Sequence, residues 1–211
     1  MDSNDVRKQW ADRSGEFSPE YYAYYGPNET SDVLVRMLDR FVDRDAPVLE
    51  LGCSSGRHLS HLHDRGFENL AGIEVNEEAF DVMADTYPDL ADDGEFYPDA
   101  IENVVADFED DRFGAIYSVE TLQHLHPDAE WVFDELSRIT ADLLVTAENE
   151  SETDRAGSTE PTVSYIGDDF PLYYRDWNAI FTARGFDEVD VSSGQRSTIR
   201  TFRRPRNRST R

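Results

Sequence analysis

The sequence predicts an α/β fold wound around a parallel sheet, and three features of residues 46–76 carry that reading. A short apolar run, Val48–Leu51, has the length and composition of a buried strand and stops at Gly52. The small-residue turn Gly52-Cys53-Ser54-Ser55-Gly56 then leads into a helix from about Arg57 to Asp64, closed by Gly66. A second apolar run, Leu70–Ile73, ends on Glu74. Strand, turn, helix and strand make one βαβ unit, which puts a ligand at the carboxyl edge of the sheet. Glycine is required in such a turn because a side chain there holds a ligand away from the backbone.

Two carboxylates narrow the ligand. Glu74 stands roughly twenty residues beyond the turn, the spacing at which an acid accepts hydrogen bonds from a ribose diol. On its own it fits a nicotinamide dinucleotide equally well. Glu50, however, sits at the strand tip two residues before the first glycine. A dinucleotide brings its pyrophosphate to this turn, and a fixed carboxylate repels it. A cation is attracted instead, by roughly 4 kcal/mol at a few ångströms and an effective dielectric near 20, before desolvation. S-adenosylmethionine carries an ammonium and a sulfonium. The glycine spacing G-x-x-x-G also departs from the dinucleotide pattern G-x-G-x-x-G.

The segments E-L-G-C-S-S-G-R and G-I-E-V-N resemble motifs I and II of the class I S-adenosylmethionine-dependent methyltransferases, and the likeness extends over roughly Ser31–Phe202. The resemblance implies a doubly wound, seven-stranded, mostly parallel sheet with helices on both faces and the last strand antiparallel. It implies that Glu50, Gly52 and Gly56 hold the methionine end of the donor and Glu74 the ribose. Cys53, Ser54 and Val75 complete that set. Ser54 stands where the family places its middle glycine. It also implies that the acid after the third strand, Asp99, approaches the adenine amino group with Ala100 or Ile101 against the ring. A solvated aspartate is the plain alternative.

At 211 residues the chain suits one α/β domain with a single core. Neither a run of eighteen apolar residues nor a basic-then-apolar start occurs, so the sequence predicts no membrane span and no signal peptide. The formal charge is −25, and Lys8 is the sole lysine among twenty basic residues. Acidic excess with arginine in place of lysine resembles proteins of a salt-saturated cytoplasm, where salt screens charge to within about 3 Å. One cysteine, Cys53, permits no internal disulfide and suits a reducing compartment; in the turn it reads as a small packing residue and not a nucleophile.

Met1–Asn28 lacks a clear period but is rich in rings, with Trp10, Phe17, Tyr21, Tyr22, Tyr24 and Tyr25. Either these pack a helix onto the sheet, or residues 1–30 form a lid in which Tyr21 and Tyr25 line an acceptor pocket. Thr30 or Ser31 is read as the cap of a helix with Val33, Leu34, Met37, Leu38 and Phe41 on one side. His58, His61 and His63 fail as a metal set, since only two of them share a face and no further ligands complete a site. They are read as solvated or capping. Glu77–Tyr87 reads as a helix capped by Asn76 and stopped by Pro88, followed by an acidic loop at Asp89–Gly94 and a third strand from Glu95.

Phe113–Val119 is the fourth strand, and its continuation E-T-L-Q-H-L-H-P resembles the family segment that borders the reacting centre. That likeness places Ser118, Glu120, Gln123, His124 and His126 near the carboxyl edge, with His124 or His126 as a general base against a plain packing role. A helix over Pro127–Ile139 and a fifth strand over Leu143–Thr146 follow. Residues 151–176 read as a surface insertion whose Tyr173 and Arg175 either line an acceptor pocket or pack the next helix. Trp177–Arg184 is a helix and Glu188–Phe202 a terminal hairpin. After Gln195 seven arginines appear with no acid, and residues 203–211 make a basic tail that binds nucleic acid or lies on the protein's own acids. Transfer of a methyl group to a small-molecule acceptor is the first expectation; an RNA or protein methyltransferase docking through the tail, or a donor-binding protein without turnover, are the alternatives.

Overall fold

The computed structural model describes residues 2–150, 162–166, 170–194 and 196–205. Its centre is β1 (Val48–Leu51), whose four residues are all buried because helices cover both faces of the strand. Crossovers carry the chain through α4 (Arg57–His63) to β2 (Leu70–Glu74), and through α5 (Glu78–Thr86) and α6 (Pro88–Asp93) to β3 (Glu95–Pro98). After α7 (Ile101–Val104) come β4 (Phe113–Val119), α8 (Val132–Ile139) and β5 (Thr140–Glu148). The chain closes with α9 (Trp177–Thr182), β8 (Asp187–Ser193) and β9 (Thr198–Arg203). The sheet has seven strands in the order β3-β2-β1-β4-β5-β9-β8. β3, β2, β1, β4 and β5 pair in parallel, whereas β9 runs antiparallel to both β5 and β8. The order reverses beside β1, where β2 and β4 diverge and leave the crevice in which open α/β sheets bind ligands.

Two apolar layers hold the sheet. One face packs Leu49, Leu51, Ile116, Phe133, Trp177 and Phe181, and the other Leu34, Leu38, Leu59, Leu62, Phe67 and Tyr117. In α3 (Glu29–Phe41), Leu34, Val35 and Leu38 fall on one face by helical spacing and are buried. Burying each leucine side chain contributes about 1.5–3 kcal/mol.

Several sequence expectations need correction. α3 is capped by Asn28, whose side chain accepts from the Thr30 and Ser31 amides at 3.0 and 3.3 Å, and not by Thr30 or Ser31. Ser31 is instead buried, bound to His58 Nδ1 at 2.8 Å. Of the histidines of α4, His58 is buried and not solvated, while His61 and His63 are partly exposed and tie the helix to its neighbours, His61 meeting Asp32 at 3.0 Å and His63 meeting Asp93 at 3.1 Å. Pro88 does end the preceding run, but it then opens α6, since a residue without an N–H costs nothing at a first helical position. The expected acidic loop is that helix. Pro127–Ala129 forms a 3₁₀ turn, so α8 starts only at Val132. Within the predicted insertion, β6 (Thr162–Ile166) and β7 (Phe170–Tyr174) pair antiparallel as a separate ribbon; the remainder of residues 151–161 and 167–169 lies outside the described residues. Ahead of the sheet stand α1 (Ser3–Ala11) and α2 (Pro19–Tyr25). Among the described residues, no helix is long and apolar enough to cross a membrane.

Candidate active site

A cavity of about 150 Å³ lies over the carboxyl ends of β1, β2, β3 and β4. Glu50 reaches it from inside the sheet: it is 1 % exposed and accepts a hydrogen bond from the Tyr117 hydroxyl at 3.0 Å. Burial pushes its carboxyl well above the usual carboxylate range. Glu74, at the end of β2, accepts from the Ser54 amide and the Asn76 amide, both at 2.9 Å. Burial raises its carboxyl also, against the pull of those amide donors. Two buried acids facing one small space leave that space short of positive charge.

The turn between them is shaped by backbone freedom. Gly52 has φ +66°, and a Cβ there would overlap the Thr121 side chain. Ser54 takes φ +48°, the left-handed region, so the serine in the place of the family's middle glycine still follows the turn. Gly56 has φ +80° and backs onto α5 and α6, where a Cβ would lie 2.8 Å from Met83 Cε and 2.9 Å from Leu90 Cδ2. Gly56→Ala is expected to destabilise the protein by about 1–2 kcal/mol, the cost of a left-handed residue bearing a side chain. Urea unfolding checks this. Cys53 packs against Gly72, which has no room for a Cβ beside the sulfur, and burial pushes its thiol up.

The amino-terminal helices close the other side. Ser3, Val6, Arg7 and Trp10 recur at helical spacing along α1 and line the cavity, continued by Phe17 and Tyr22. Trp10 packs on His124 and Phe170, with ring centroids 4.7 and 4.8 Å apart. Arg57, the first residue of α4, stacks over Tyr22 at 4.5 Å. The Asn76 side chain donates to the Arg13 carbonyl at 3.2 Å and fastens this segment to the end of β2.

Behind β4, the chain turns sharply at Glu120, whose φ of +51° is a strained value for a side-chain-bearing residue. Glu148 at the end of β5 holds the turn. It accepts from Ser118 Oγ at 2.7 Å and from the amides of Thr121, Leu122 and Gln123 at 3.1–3.3 Å. Burial nevertheless pushes its carboxyl up to about 7. Arg175 clamps the same segment by donating to the Leu125 carbonyl at 2.7 Å and the Leu122 carbonyl at 3.4 Å. His124 donates from Nδ1 to the Pro171 carbonyl at 2.9 Å, which leaves Nε2 to accept from Gln123 at 3.3 Å. Both ring nitrogens are therefore engaged, and burial lowers the imidazole to about 4. His126 differs, since its Nδ1 accepts from the Asp128 amide at 3.2 Å while its Nε2 meets no hydrogen-bond partner among the described residues.

The structure thus gathers Glu50, Gly52, Cys53, Ser54, Glu74 and Val75 around one cavity. Asp99, Ala100, His124 and His126 line it as well. Asp99 Oδ1 is occupied, at 2.7 Å from both the Ala100 amide and Asn103 Nδ2. Gly56 and Ser118 stand outside the lining and support it. Tyr21, Tyr25, Tyr173 and Arg175 are not among the lining residues; Tyr25 is exposed, while Tyr173 and Arg175 are buried behind the β4 turn. Sequence reading assigns no site role to Arg13, Arg57 or Thr121, and names Trp10 and Tyr22 only among the rings of the lid segment and Asn76 only as a helix cap. A cation directly after the glycine turn was the available signal for Arg57.

Parallel sheet, crevice and paired acids together have the arrangement of the class I, S-adenosylmethionine-dependent methyltransferase fold. The family model described as "Methyltransferase domain" matches residues 48–142 of the chain. No curated protein sequence matches the chain. Among solved structures, an S-adenosylmethionine-dependent methyltransferase from Listeria monocytogenes superposes with a TM-score of 0.63 at 16% identity, over 84% of this chain and 100% of that one. The magnesium protoporphyrin IX methyltransferase of Synechocystis PCC 6803, solved with bound S-adenosylmethionine, gives 0.62 at 14% identity over 96% and 90%. A methyltransferase complex of Haloferax volcanii with the Trm112 activator gives 0.62 at 17% identity over 83% and 87%. These likenesses are of fold. The donor also fits the site chemically, because a cationic group answers buried Glu50, hydroxyl donors answer Glu74, and the left-handed Gly52 keeps the turn's backbone bare.

Proposed function

We propose that the protein transfers the methyl group of S-adenosylmethionine to a small molecule enclosed between the sheet edge and a lid formed by residues 1–30. The observation that carries this reading is the closure itself. Val6, Trp10 and Phe17 roof the cavity, whose volume of about 150 Å³ is below the 300–1,000 Å³ usual for a ligand site, so the lid rests directly on the reacting space. Residues 31–202 are then the catalytic domain. Glu74 accepts from the ribose hydroxyls, Glu50 faces the methionyl ammonium, and Arg57 faces the methionyl carboxylate. Gly52, Cys53, Ser54 and Val75 shape the bed between them, and Asp99 and Ala100 border the adenine.

When bound, S-adenosylmethionine supplies an electrophilic methyl group on a positively charged sulfur. The chain's part is to align the attacking atom, which contributes up to about 7–11 kcal/mol in well-oriented systems. It also excludes water and takes up a proton. His126 suits the last task better than His124, because among the described residues its Nε2 meets no hydrogen-bond partner, whereas both ring nitrogens of His124 are engaged. Three of the four described arginines after Gln195 are engaged within the protein, which disfavours docking of RNA or protein through them, and Arg196 is exposed. Arg200 pairs with Glu150 and Glu188 at 2.6 Å, Arg203 holds Asp142, and Arg204 donates to the Thr140 carbonyl. Arg206, Arg208 and Arg211 lie outside the described residues.

Labelled S-adenosylmethionine incubated with fractionated extract tests the reading. Label is expected in the low-molecular-mass fraction, with His126→Ala lowering the rate roughly 10²- to 10⁴-fold. Label on RNA or protein would contradict it.

A further inference from the structure

Three arginines line the cavity, Arg7, Arg13 and Arg57. The chain has 45 acidic residues against 20 basic ones, and four of its other half-buried arginines use them, while Arg204 binds main-chain carbonyls. Arg138, Arg184, Arg200 and Arg203 each hold a carboxylate at 2.5–2.8 Å. Among the described residues, no carboxylate pairs with any of the three in the cavity, although Asp99, Glu102 and Glu120 line the same space. Arg7 donates to Asn4 Oδ1 and Arg13 Nε to the Glu16 carbonyl at 2.6 Å, both neutral acceptors. The Arg13 guanidinium otherwise lies over the Phe170 ring at 4.5 Å. Trp10 stands between the two in sequence, and its indole N–H is buried without a partner among the described residues. A half-desolvated guanidinium with spare donors is matched by an oxyanion, which it binds in a fork. Where acids outnumber bases so heavily, leaving two such groups unpaired on the lid reserves them for a ligand.

Resting on the methyl-transfer reading, which gives Arg57 to the donor, we infer that the acceptor carries a carboxylate or phosphate read by Arg7 and Arg13 from the lid. Trp10 adds a neutral donor, and Val6 and Phe17 supply the apolar wall for the acceptor's body. The lid is then a selectivity element and not only a cover. It closes over an acceptor that neutralises it, and an uncharged analogue of the same shape leaves both guanidinium groups unanswered.

Matched probes test this on the full-length protein saturated with S-adenosylhomocysteine, at constant ionic strength. Benzoate and benzamide have nearly the same shape and differ in charge, and calorimetry up to high millimolar concentration reads both. Benzoate is expected to bind at least roughly tenfold more tightly, with Arg7→Gln and Arg13→Gln each removing most of that preference. Affinity for S-adenosylhomocysteine is measured alongside and is expected to be unchanged in both variants. Absence of benzoate binding, equal binding of the two probes, or a preference that both variants retain overturns the inference. Failure of the wild-type protein to bind S-adenosylhomocysteine would instead overturn the donor assignment, so the two failures are distinguishable. Phenyl phosphate in place of benzoate then tells which oxyanion the lid prefers.

Discussion

Glu74→Ala lowers the affinity for S-adenosylhomocysteine by about 1.5–3 kcal/mol, one to two orders of magnitude, if hydrogen bonds from the ribose diol to this carboxylate are made. The expectation follows from the way Glu74 is held. One oxygen accepts from the Ser54 amide and the other from the Asn76 amide, so the carboxylate is fixed in place at the edge of the cavity. Removing it deletes the acceptors and also frees the turn that carries Gly52 to Gly56. Glu74→Gln separates these effects. One oxygen remains for the turn and for one hydroxyl, so an intermediate loss is expected. Calorimetry with wild type and both variants, paired with thermal melts, reads affinity apart from folding. An affinity unchanged in Glu74→Ala would remove the ribose role.

The second large effect concerns stability against pH. Burial holds the Glu148 carboxyl at about 7 in the folded protein, above its value of about 4.5 in the unfolded chain. The folded state therefore keeps a proton that the unfolded state gives up. The stabilisation is fully present below about pH 4.5 and is lost as pH rises through about 7, amounting to about 3 kcal/mol. Glu148→Gln removes this slope at the cost of a constant offset, because an amide cannot accept from the Gln123 amide and from Ser118 together. Urea unfolding of both proteins across that range, at fixed salt, should give curves that converge towards high pH. Parallel curves would show that Glu148 does not titrate there. Since Glu148 sets the turn bearing Gln123 to His126, catalytic rate should fall in this variant as well.

The centre of the molecule was legible in sequence because local and tertiary demands coincide there. A strand covered on both faces has to be continuously apolar, and the turn after it has to be small, so Val48–Leu51 and Gly52–Gly56 announced themselves. The two acids were legible because a carboxylate inside an apolar run has no packing reason to exist. Legibility fell wherever tertiary contact chooses between locally equivalent residues. Asn28, Thr30 and Ser31 are all good caps, and it is His58, 27 residues from Ser31, that draws Ser31 into the interior. In the tyrosine run of α2, Tyr22 faces the cavity and Tyr25 faces solvent, a choice fixed by how the helix docks. Arg175 read as a pocket wall from its aromatic neighbours, yet its guanidinium is spent on two carbonyls of the β4 turn. The function of Glu148 rests on amides more than twenty residues away, which no local pattern encodes.

The most direct test of the whole reading is a crystal structure with S-adenosylhomocysteine bound. It should show the ribose hydroxyls about 2.5–3.0 Å from the Glu74 carboxylate, the methionyl amine beside Glu50, and the sulfur facing the space beneath Trp10. The ligand lodged elsewhere, or the β1–β2 edge taking a dinucleotide pyrophosphate beside Glu50, would contradict it.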